Sequence, residues 1–109
     1  MDISIHQQLK ELASLKACVR AWGAKMAKVI FARLDQLQAA TCLEDMKGLP
    51  GHCHELKEDR KGQLAIDLVQ PYRLIFRPDG NPEDIYENNS LAWKKVTSIE
   101  VLEIKNYHD

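Results

Sequence analysis

The spacing of the apolar residues changes once along this chain, and that change limits the fold more than any other feature. Through the first forty residues the period is helical. Ile5, Leu9, Leu12, Leu15, Val19 and Trp22 recur every three or four positions, which puts them on one face of a 3.6-residue turn. After Gly23 a second run follows through Met26, Ile30, Leu34 and Leu37, widened by Ala27 and Phe31. No proline occurs before position 50, and Ala, Leu, Lys and Gln dominate, so helix is favoured throughout. Two helices bent at Gly23, or an antiparallel helical hairpin, are the natural forms. A short helical turn at Leu43–Met46 precedes a stop at Gly48-Leu49-Pro50-Gly51.

From His52 the period becomes two. Leu64, Ile66 and Leu68 alternate with Ala65, Asp67 and Val69; next, Tyr72, Leu74 and Phe76 oppose Arg73, Ile75 and Arg77. Turns are predicted at Asp59 to Gly62 and at Gln70-Pro71, and a last strand at 99–105. Residues 78–98 carry two prolines, one glycine and three asparagines, and read as a long connection or inserted loop of the functional or mobile kind. Helices first and strands afterwards imply an α+β fold, with N-terminal helices packed on one face of a small, mostly antiparallel β-sheet. The face carrying Arg73 is then open to solvent or substrate. A chain of 109 residues suits one such domain, spanning 1–109.

Composition excludes some classes. With 45% hydrophobic and 28% charged residues the chain is neither disordered nor membrane-spanning, and no run approaches the ~18 apolar residues of a span. Three cysteines (Cys18, Cys42, Cys53) with no CxxC spacing, and a start without a signal-peptide core, point to a reducing cytoplasm. The net charge of −1 conceals an uneven distribution. Residues 1–40 are net +3, residues 41–46 net −2, residues 47–77 net +2 and residues 78–109 net −4. A polyanion meets local potential, so the basic part stays compatible with nucleic acid, although the weak total argues against avid binding to any free RNA.

The residues able to do chemistry gather in the strand half. His54 and Lys57 lie on or beside the first strand, Arg60 and Lys61 in the turn after it, Arg73 inside the apolar run YRLIF, and Tyr107-His108 after the last strand. An arginine there needs solvent, a carboxylate or a phosphate, and Asp67 on the neighbouring strand is one available partner. Two histidines, a tyrosine and several cations suit RNA cleavage without metal or cofactor. A base takes the 2′-hydroxyl proton, the oxygen attacks the adjacent phosphorus, cations meet the added charge, and an acid protonates the leaving 5′-oxygen. His works in both directions near neutrality, and Tyr among cations can share the task. A metal reading of His52 and His54 with Cys42 and His108 lacks a second paired ligand motif, and Cys53 is expected to face the core.

HELKEDRKGQLAIDLVQPYRLIF, followed by VLEIKNYHD, resembles the RelE/ParE superfamily of bacterial toxins, specifically the HigB-like plasmid-maintenance "killer" proteins. Their pattern is approximately H-x-L-K-G-D-R-x-G, a strand, [YW]-R-[LI]-x-F and a D-Y-H ending. The likeness is close over 48–77 and 99–108 and general over the helical half. It implies the toxin of a type II toxin–antitoxin system: a cytoplasmic, ribosome-dependent mRNA endonuclease, or mRNA interferase, silenced by a helix-turn-helix HigA-like antitoxin. By position it implies catalytic roles for His54, Lys57, Arg73, Tyr107 and His108, and RNA binding by Lys57, Arg60, Lys61 and Arg77. Glu58 replaces the pattern's glycine, Asn106 stands where Asp is common, and the 78–98 segment is longer than in compact members. Other readings are a ParE-like gyrase-binding toxin without nuclease activity, a DNA-binding killer suppressor, and an interaction module that has lost catalysis, with the 78–98 segment part of its partner-docking surface.

Overall fold

A computed structural model describes residues 1–107. Its centre is a five-stranded sheet made of β1 (Asp2–Ile5), β2 (His54–Glu55), β3 (Leu64–Asp67), β4 (Tyr72–Pro78) and β7 (Ser98–Asn106). The spatial order is β1-β7-β4-β3-β2, with β1 parallel to β7 and every other pairing antiparallel. Two helices, α1 (Leu15–Trp22) and α2 (Ala24–Ala39), are packed on each other. The Ser14 hydroxyl accepts a 3.1 Å bond from the Ala17 N–H and so caps α1. Gly23, at φ +86°, makes the bend between the helices.

Met26, Ala27, Ile30, Leu34 and Leu37 of α2 share one buried core with Leu64, Ile66, Leu74, Phe76, Ile99 and Val101 of the sheet. Each fully buried aliphatic side chain stabilises the fold by roughly 1.5–3 kcal/mol. Arg33 ties α2 to the end of β3, its Nε donating 2.8 Å to the Asp67 carbonyl. Gly51 passes close beneath this tie: a Cβ there would meet Ile66 Cγ1 at 2.6 Å and Arg33 Nε at 2.9 Å. The α-ammonium of Met1 closes the far end of α2 by donating to the carbonyls of Leu37, Gln38 and Ala40.

The α+β class and the packing of helices on a largely antiparallel sheet agree with the sequence reading, but three parts differ. Residues 2–5 are strand where helix was expected, because β-branched Ile3 and Ile5 alternate with Asp2 and Ser4 along the free side of β7. The stripe of α1 is core only at its end: Leu15 is 57% and Val19 38% exposed, Trp22 packs against the core, and Cys18, off the stripe, is fully buried. The 78–98 segment has secondary structure of its own. It holds α3 (Pro82–Ile85) and a hairpin of β5 (Tyr86–Glu87) and β6 (Ser90–Leu91), turned by Asn88 and Asn89, both at positive φ. Ile85, Leu91 and Val96 anchor it in the main core.

Candidate functional site

The register of the sheet decides which side chains share the face away from the helices. Asp67, Arg73 and Lys105 form one cross-strand row on β3, β4 and β7; His54, Ala65, Ile75 and Glu103 form the next. A register shift between Ile75 and Phe76 skips Leu102 of β7, so Ile99 and Val101 point into the core while Glu103 and Lys105 point out. The face is less open than the alternation implies. Ala65 and Ile75 are wholly buried, and the Arg60–Glu103 ion pair (3.1 Å) reaches across their row from the β2–β3 connection to β7.

Arg73 sits at the centre of the first row. Its Nε lies 3.3 Å from Asp67 Oδ1, and its guanidinium carbon lies 4.5 Å from the centroid of the Tyr107 ring. Asp67 Oδ1 is buried and takes no hydrogen bond, so this contact holds Arg73 through charge alone. Tyr107 is fixed by its own N–H, which donates 3.1 Å to the Pro71 carbonyl. The partner that sequence offered for Arg73 is thus the one it has, and the tyrosine covers the other side of the guanidinium.

His54 projects from the same face but two strands away and one row along, which puts its Cα about 12 Å from that of Arg73 at standard strand spacings. Its ring stacks on His52 at 4.6 Å, and its Nδ1 donates 2.8 Å to the His52 carbonyl. A carbonyl only accepts, so in the neutral ring the lone pair is on Nε2, the form of a general base. Cys53 between the two histidines packs against the core, and burial pushes its thiol up to about 12, out of nucleophile range. Among the described residues no three of His, Cys, Asp and Glu converge as a metal site.

The expected cations separate into two sets. Arg60 is paired with Glu103, and Arg77 grips Glu100 through Nε (2.8 Å) and Nη2 (2.7 Å). Lys57 and Lys61 have no ion pair among the described residues; they line a groove of about 350 Å³ between the β2–β3 connection and the β5–β6 hairpin. Extending the register puts the Cα of Lys57 roughly 18 Å from that of Arg73. His108 lies outside the described residues. Sequence reasoning passed over Lys105, although its two-residue offset from Glu103 was available, and read Tyr86 only as part of a partner-docking surface, since the hairpin that brings it to the groove has no spacing to read.

No family model matches the sequence, and no curated protein matches it. Solved structures do match. A YoeB/ParE toxin from Agrobacterium tumefaciens superposes with a TM-score of 0.62 at 13% identity, covering 98% of this chain and 99% of that one. A YoeB–YefM complex and a YoeB dimer, both from Staphylococcus aureus, give 0.58 at 18% identity, with 96% and 94% covered. At such identities the likeness speaks for architecture, and it extends over nearly the whole chain. This chain has the fold of the YoeB/ParE toxins.

Proposed function

We propose that the chain is the toxin of a type II toxin–antitoxin pair and cuts messenger RNA on the ribosome in the HigB-like manner. The observation that carries this reading is Arg73, presented from the middle of the outward face and oriented by Asp67 and Tyr107. A guanidinium held in this way is preorganised to meet the charge that builds on a phosphorus under attack. His54 Nε2 is available to take the 2′-hydroxyl proton, and Tyr107, against the Arg73 guanidinium, to protonate the leaving oxygen, a task the motif resemblance also gives to His108. Lys105, in register with Arg73, adds a cation to the same row. The YoeB–YefM complex supports a partner antitoxin for this fold, and the motif resemblance favours a HigA-like one. Its place of action would be the cytoplasm.

Induced expression of the wild type beside Arg73→Ala and a deletion of His108-Asp109 tests the proposal. Wild type should arrest growth and cut translated messages, and Arg73→Ala should lose about 10²–10³ in cleavage rate, as when a transition-state donor is removed. A wild type that does neither overturns the toxin reading, and two fully toxic variants overturn the site. One observation favours a second reading: Arg60, Arg73 and Arg77 are each already paired with an acid. A ParE-like toxin that binds gyrase without cutting RNA needs no free guanidinium. Inhibition of purified gyrase with intact messages would establish that alternative.

A further inference from the structure

The groove holding Lys57 and Lys61 is built unlike a phosphate cradle. Its lining includes two lysines and two glutamates, Glu55 and Glu58, so its formal charge is balanced. Glu55 is engaged, accepting 2.9 Å from the Trp93 indole N–H. Leu56 and buried Leu91 are its apolar components, the half-buried Tyr86 ring is a flat one, and Asn89 and Ser90 are exposed neutral hydrogen-bonding groups. An apolar surface, a flat ring and neutral donors and acceptors beside a cationic rim suit a planar heterocycle with a phosphate attached. Two further features point the same way. Gly62 leaves space next to Tyr86, its nearest neighbour being the Tyr86 hydroxyl at 4.0 Å from the position of a Cβ. Asn89 is fixed at φ +66° in the two-residue turn, so its amide is offered from a rigid backbone. The run His54-Glu55-Leu56-Lys57 leads without a break from the outward face of the sheet into the groove.

We propose that this groove is a base-binding subsite for an RNA nucleotide a few positions from the one attacked at Arg73. Tyr86 stacks on the base, Asn89 and Ser90 read its edge, and Lys57 and Lys61 hold the adjoining phosphate. This rests on the endoribonuclease reading and adds to it where sequence preference would come from. The roughly 18 Å from Arg73 sets the bound nucleotide a few positions along the message from the scissile bond. The 78–98 segment therefore acts as a wall of the substrate channel. An asparagine amide discriminates among bases by its paired donor and acceptor, and stacking accepts any of them.

The test is a titration of the isotope-labelled, full-length protein with the four ribonucleoside 5′-monophosphates and a short oligoribonucleotide, followed by amide NMR shifts. Shifts at Gly62, Tyr86, Asn89 and Ser90 that differ among the four bases are expected. Asn89→Gly keeps the positive φ while removing the amide, and should weaken the preferred base three- to tenfold with an unchanged thermal midpoint. Tyr86→Leu should weaken all four, its midpoint reporting whether it folds. Absence of groove shifts with every nucleotide overturns the proposal, as does an Asn89→Gly protein that binds all four like wild type. Loss of neutralisation by the antitoxin in Asn89→Gly, without nucleotide shifts in the wild type, makes the groove a protein-docking surface and equally overturns it. The titration reads binding directly. Its failure is therefore distinct from that of the nuclease reading, which shows in the toxicity of wild type against Arg73→Ala.

Discussion

Glu58 holds φ +58°, in the left-handed region that glycine enters without steric cost. The toxin pattern that the sequence resembles has glycine at this position, and the reason is now physical: the chain must turn there into the short helical stretch Glu58–Arg60. Glu58→Gly should raise stability by about 0.5–1 kcal/mol, the relieved strain less the entropy a glycine adds to the unfolded chain. Urea midpoints of the two proteins check this, and a lowered midpoint would mean that the glutamate side chain contributes more than its backbone costs. Cys53 gives a pH prediction. Burial raises its thiol from 9.0 to about 12, so the unfolded chain releases this proton first. Stability is unaffected below about 9 and falls as pH rises from there toward 12. Buried Cys18, raised by desolvation and by Glu11, adds a slope of the same sign. Cys53→Ala should lose less stability than wild type between pH 8 and pH 10, by denaturant midpoints. Arg73 and its partner Asp67 were legible in the sequence because both lie in clean alternating runs. Lys57 was named as a candidate, but the side of the strand on which it falls was not legible, since only His54 and Glu55 of β2 are paired and alternation stops before reaching it.

Apolar spacing on α1 is helical, yet the residues that carry it are not equally buried. Leu15→Gln should change stability by less than about 0.5 kcal/mol, as at a surface site, while Leu37→Ala on α2 should cost about 2–5 kcal/mol. Thermal or urea unfolding separates the two, and a large loss at Leu15 would show that α1 is seated more deeply than its exposure indicates. Spacing reports that a face exists; what covers it is a tertiary matter. The same limit explains the N-terminus, where a four-residue strand was absorbed into a helical count through Ile5. In β7 the bulge at Leu102 reverses the parity of the strand, so no strict alternation could have assigned both Val101 and Glu103. The 78–98 segment read as a loop because its strands are two residues each, too short to show a period. Ile85, Leu91 and Val96, which anchor it, are scattered apolar residues with no common spacing. The long elements and the outward face of the sheet were legible; the short hairpin and the groove it completes were not.

At the scale of the whole molecule, the two ends of the described chain are joined by the fold. β1 runs parallel beside β7, and the Met1 ammonium sits on the carbonyls that end α2, where a positive charge is favoured. Acetylating that amine should cost about 0.3–1 kcal/mol, readable as a lowered unfolding midpoint, with no change in the Arg73–Tyr107 contact. β7 is the last strand in sequence but an interior one in space, flanked by β1 on one side and β4 on the other. While the chain is being synthesised, β1 is therefore an orphan and β4 has one bare edge. Lys105 and Tyr107, which complete the row around Arg73, arrive only with β7. The row around Arg73 is thus the last part of the sheet to be completed: the most local-looking cluster on this face depends on the pairing of residues more than thirty positions apart.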